Sequence, residues 1–134
     1  MNNFISPNCN SNLNISFNQE IGKVEIIGVS IGSPAVDQLK ALLNSIKVYS
    51  KNPAPTTNMI ISLDYFNTRS ASIIYMIFKI LETINQSKES KVSVTWFALE
   101  NDDDLIESAD VYKEICPNLP IQTKISFGQT NNCL

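Results

Sequence analysis

The chain has 134 residues, 10 Lys plus Arg against 13 Asp plus Glu, a net charge of −3 and an apolar fraction of 43%, enough for one ordinary hydrophobic core and too apolar for a disordered chain. It contains no histidine, which excludes an imidazole base, phosphohistidine, His metal ligands and the Ser-His-Asp and Cys-His nucleophile systems. Its single arginine, Arg69, and its acidic balance leave no basic stripe for binding nucleic acid.

Residues 1–12, rich in Asn and Ser, read as a loose lead-in, and residues 129–134 as a frayed tail. Leu13, Ile15 and Phe17 alternate with Asn14, Ser16 and Asn18, the period of a half-buried strand. Gln19 to Gly22 reads as a hairpin turn into a second strand, Lys23 to Ile31. Ser33 is a candidate N-cap and Pro34 suits the first helical position. Val36, Leu39, Leu43 and Ile46 then recur at helical spacing, flanked by Leu42 and Tyr49, until Asn52-Pro53-Ala54-Pro55 forms a stiff linker. Met59 to Tyr65 predicts a short apolar strand. A long helix follows, with Ile73, Ile77, Ile80 and Ile84 on one stripe and Ile74, Leu81 and Met76 beside it. Lys91 to Leu99 predicts a strand. A weaker helix runs from the acidic group Asp102-Asp103-Asp104 to about Ile115, and Ile121, Thr123, Ile125 and Phe127 mark a last strand. The order ββαβαβαβ predicts an α/β fold in a single domain over residues 1–134, with a mixed, mostly parallel sheet of about five strands and three helices.

Cys9, Cys116 and Cys133 form no CxxC pair and fit free thiols in a reducing cytoplasm. The start has no signal-peptide character, and no stretch is long and apolar enough to span a membrane. The sequons at Asn14 and Asn85 read as chance matches.

The most informative segment is Asp64-Tyr65-Phe66-Asn67-Thr68-Arg69-Ser70, where a strand's carboxyl end meets a helix start. Asn67 or Thr68 can cap that helix through a side-chain oxygen and do nothing more. Alternatively, Thr68 is a phosphoacceptor. A phosphate there meets the free N–H groups and positive end of the helix, with Arg69 beside it. It would block a docked partner by charge and bulk while leaving the fold intact. Ser70 and Ser72 are secondary candidates.

Asp102, Asp103 and Asp104 either begin a helix or bind a divalent cation. Adjacent carboxylates diverge, so the helix start, with a charged contact surface, is the better reading. One of Trp96 and Phe97 faces the core; the other is a candidate partner anchor unless helices cover both sheet faces. Phe66 is a further candidate for partner binding. An alternative function is a small enzyme or ligand-binding domain using Asp64 and Asp102 to Asp104 around Mg²⁺; the lack of histidine and of a glycine-rich phosphate cradle argues against it.

Leu63-Asp64-Tyr65-Phe66-Asn67-Thr68-Arg69-Ser70 resembles the Leu-x-Tyr-Phe-Asn-Thr-Ser-Ser element of the SiaC-type regulatory phosphoproteins of bacteria. Phe17 to Ser30, Pro34, Val94-Thr95-Trp96-Phe97 with the acidic residues after it, Glu107 and Tyr112 extend the resemblance over residues 13–125. It implies a domain similar to the anti-sigma-factor antagonists, with no catalysis and no cofactor. It also implies that Thr68 is phosphorylated by a serine/threonine kinase and restored by a metal-dependent serine/threonine phosphatase. The unphosphorylated form would stimulate a diguanylate cyclase or similar effector, giving control of cyclic di-GMP and biofilm formation. Arg69 replaces the usual Ser, which changes the charge beside the phosphate. Val29 and Ala35 stand where Arg and Glu are frequent, which removes polar contacts near the opening strands.

Overall fold

The structure is a computed structural model that describes residues 3–5, 13–30 and 32–126. Strands β1 (Asn3–Ile5), β2 (Leu13–Asn18) and β3 (Lys23–Ser30) lead into helix α1 (Gly32–Tyr49). Then β4 (Thr56–Phe66), α2 (Thr68–Ser87), β5 (Lys91–Leu99), α3 (Asp103–Ile115) and β6 (Ile121–Ser126) alternate. The sheet order is β1-β2-β3-β4-β5-β6. The β1–β2 and β2–β3 pairings are antiparallel and the other three parallel. The expected α/β order of five strands and three helices is present. Part of the lead-in adds a sixth, short strand, Phe4 pairing with Phe17. The rest of residues 1–12 and the tail at 129–134, with Cys9 and Cys133, lie outside the described residues, as do Ile31 and Phe127.

Burial alternates strictly along β2, β3 and β5, so one sheet face is covered and the other is partly open. The covered face carries Leu13, Ile15, Phe17, Val24, Ile26, Met59, Ile61, Val94 and Trp96. Against it pack Val36, Leu39, Leu42, Leu43, Ile46 and Tyr49 of α1, and Ile73, Ile74, Ile77, Phe78, Leu81 and Ile84 of α2. Leu105, Ala109 and Tyr112 of α3 complete the layer. Met76, expected beside the apolar stripe, is exposed, and Phe78 takes the inward place. Trp96 is in the core, while Phe97 is half-buried on the other face, with Ile60 and Ser62. The helices therefore form one layer.

The turn at residues 19–22 ends in Gly22, whose φ of 70° lies in the left-handed region. A Cβ there would run into the Thr56 carbonyl oxygen and the Tyr49 hydroxyl. Strand β4 begins at Thr56, before the apolar run, because the Thr57 hydroxyl is buried between Tyr49 Oη (2.7 Å) and Ser90 Oγ (2.6 Å).

Candidate functional site

The parallel strands β3, β4 and β5 run the same way, so α1, α2 and α3 all start at one edge of the sheet. At this edge the β3–β4 register slips: Gly28 pairs with Leu63, but Val29 pairs with Tyr65. Asp64 is the extra residue of a bulge. The slip places Tyr65 beside Val29 and Phe66 beside Ser30, which re-aims the chain entering α2.

Asn67 is the N-cap of α2. Its backbone is extended (φ −89°, ψ 178°), and its Oδ1 accepts a hydrogen bond of 2.9 Å from the Ser70 N–H. Thr68 is the first helical residue and is exposed. The open question of which residue caps the helix is thus resolved: the cap uses Asn67, and the Thr68 hydroxyl is not needed for it. Ser70 is fully buried, and its hydroxyl is hydrogen-bonded to that of Ser30. This pins the first turn of α2 to the end of β3 and leaves Ser70 no route to a modifying enzyme. Ser72 is exposed, and its hydroxyl donates to the Thr68 carbonyl. Arg69 is exposed and enters no ion pair among the described residues.

Helix α3 starts in the same way. Asp102 Oδ1 accepts from the Leu105 N–H at 3.1 Å, and Asp103 and Asp104 occupy the first turn, where the helix dipole favours carboxylates. Among the described residues no three acidic or cysteine side chains are placed to share a metal ion. The acidic run is a helix start.

Between the starts of α2 and α3 lies a cleft of about 360 Å³. Asp64, Tyr65 and Phe66 of β4 line it, with Asn67, Thr68 and Ala71 on one side and Asp102, Asp104, Leu105 and Ser108 on the other. Behind it lies an aromatic cluster: the lining residue Phe66 meets Trp96 edge-to-face at 5.8 Å, and Trp96 packs on Tyr112 at 5.5 Å. The Tyr112 hydroxyl donates to the Ala71 carbonyl at 2.9 Å, and burial pushes its pKa far above the usual phenol range. Of the residues singled out from sequence, the cleft gathers Asp64, Tyr65, Phe66, Asn67, Thr68, Asp102 and Asp104. Arg69, Ser70, Phe97 and Asp103 do not line it. Ala71, Leu105 and Ser108 carried no sequence signal as site residues beyond helical spacing, and Tyr112 entered only as one of the residues of the family resemblance. Ser30 carried none either, because its partner lies 40 positions away.

At its far end α3 is tied down separately. Glu82 is buried, accepting 2.9 Å from Lys79 Nζ and 2.7 Å from the Asn118 N–H. Burial alone would raise its pKa; the backbone N–H and the ammonium together hold it below the usual carboxylate value. Lys79 also donates to the Ile115 carbonyl at 2.9 Å. Cys116 is buried next to this group, and burial pushes its thiol up, away from reactivity. No helix among the described residues is long and apolar enough to cross a membrane.

Three solved structures share the fold. SiaC of Pseudomonas aeruginosa is 19% identical, with a TM-score of 0.80 over 94% of this chain and all of that one. The apo-SiaC crystal structure from the same organism gives 19%, 0.79, and 92% and 99% coverage. The structure of the diguanylate cyclase SiaD in complex with its activator SiaC gives 19%, 0.81, and 92% and 99%. A comparison with curated proteins finds no match. The sequence pattern of the family described as SiaC family regulatory phosphoprotein fits residues 7–126, a span that holds the Asn67-capped start of α2 and the acidic cleft beside it, and the chain accordingly belongs to that family.

Proposed function

We propose that this regulatory phosphoprotein is a non-enzymatic, cytoplasmic switch over residues 1–134 whose partner binding is set by phosphorylation of Thr68. The observation that carries the reading is the division of labour at the start of α2. Asn67 satisfies the cap, so the exposed Thr68 hydroxyl is free to accept a phosphoryl group without dismantling the helix. The first turn of α2 holds no acidic residue, so its dipole favours an added anion. A serine/threonine kinase installs the phosphate, and a metal-dependent serine/threonine phosphatase removes it. The effector is a diguanylate cyclase or a similar protein, in line with the complex formed by the structural relative. Phe66, Tyr65, Asp102 and Asp104 form the cleft that such a partner would meet; Asp103, in the first turn of α3, and Phe97, on the opposite sheet face, are further contacts.

Phosphosite mapping on the protein purified from its host under several growth conditions tests the assignment. The expected result is phosphate on Thr68 whose occupancy varies, and none in Thr68→Ala. Equal incorporation into wild type and Thr68→Ala would refute it. Binding to the host's diguanylate cyclase is expected for wild type and Thr68→Ala and weakened at least tenfold, or about 1.4 kcal/mol, in Thr68→Asp.

A further inference from the structure

Thr68 shares its cleft with Asp64, Asp102 and Asp104, and among the described residues no lysine or arginine lines the same space. The three acids approach from two elements, the bulge of β4 and the start of α3. The helix that carries Thr68 is held to α3 by side chains: the Tyr112 hydroxyl on the Ala71 carbonyl, Lys79 on the Ile115 carbonyl, and the Phe78–Tyr112 contact at 4.9 Å. Beneath this seam the Trp96 Nε1 hydrogen is buried with no hydrogen-bond partner among the described residues, so water admitted there would gain a bond.

We infer that phosphorylation of Thr68 acts inside the molecule as an electrostatic wedge, driving the start of α3 away from the start of α2 and admitting water to the aromatic cluster behind Phe66. A phosphothreonine carries nearly two negative charges, and here three acidic residues line the same cleft. The α2 dipole attracts the phosphate, but one helix end supplies about half a charge, fewer than the carboxylates opposite. Arg69 is the one nearby cation in the sequence, and it stands outside the cleft. The phosphorylated form therefore differs from the unphosphorylated one in the α2–α3 seam and not only in surface charge. A partner that docks across the cleft loses both its charge match and its shape. This rests on Thr68 being the modified residue.

The test uses the full chain with phosphothreonine installed at position 68 during synthesis, so no kinase is involved. Thermal unfolding and the emission of Trp96, the sole tryptophan, are compared with the unmodified chain at low salt. The phosphorylated chain is expected to melt several degrees lower and to emit at longer wavelength. Both differences should shrink in 1 M NaCl, where screening acts within about 3 Å. They should shrink by more than half in Asp64→Asn/Asp102→Asn/Asp104→Asn, where the amide at position 102 retains a capping oxygen; Asp64→Asn alone, which touches no cap, should give a partial loss. A phosphorylated chain that melts at or above the unmodified one would overturn the wedge, as would a difference that persists unchanged in the neutralised variants. Because the phosphate is installed, these outcomes are independent of host phosphosite mapping, which alone decides whether Thr68 is the residue modified in the cell.

Discussion

Two adjacent side chains, both good helix caps by type, have separate duties here. Asn67 bonds the Ser70 N–H, and Thr68 stands free. Asn67→Ala should therefore cost about 1 kcal/mol of stability, whereas Thr68→Ala should cost a few tenths; urea unfolding of the two variants checks the order. Sequence could place a helix start at this point, because a strand's apolar run ends in Asn-Thr. It could not say which oxygen turns inward, since both residue types cap equally well. Ser70 shows the same limit more sharply. As a serine beside a threonine it read as a modifiable neighbour, and only its contact with Ser30 shows it to be buried.

At the scale of elements, helices α1 and α2 were readable because their apolar positions recur every three or four residues and nearly all of them meet the sheet. Met76 broke the pattern, since its side chain falls just outside the stripe that Phe78 completes. The short edge strand β1 was not readable: it has three residues in a polar stretch, and its pairing depends on β2 being in place. Helix α3 was the weaker periodic signal, and it depends correspondingly on a polar tether, Lys79–Glu82–Asn118. The Glu82 carboxyl is held below its ordinary value of 4.5. Its contribution is thus complete above that value and is lost as pH falls through the lower folded-state value. Glu82→Gln should cost roughly 1.5 to 3 kcal/mol at pH 7. The cost should shrink toward zero in strong acid, where the wild-type carboxyl is itself protonated. Unfolding curves from pH 7 to pH 2 measure it.

For the molecule as a whole, one layer of helices on one sheet face decides where substitutions matter. Phe78 is fully buried and meets Trp96 and Tyr112, while Phe97 is half-buried on the opposite face. Phe78→Ala should cost about 3 to 5 kcal/mol and Phe97→Ala about 1 kcal/mol, as read from urea midpoints. Alternation along β5 made the Trp96/Phe97 opposition legible in advance, but not which of the two faces the helices would choose, because both are large and aromatic. The strand order adds a different consequence. Each strand lies beside the one that precedes it in the chain, so every pairing closes a loop no longer than a hairpin or a single helical crossover. The entropy lost in such closures grows only slowly with length, and no strand must wait for a later one to reach its neighbour. During synthesis the sheet can therefore grow like a row of tiles laid from one end, with a finished edge ready for each strand as it leaves the ribosome.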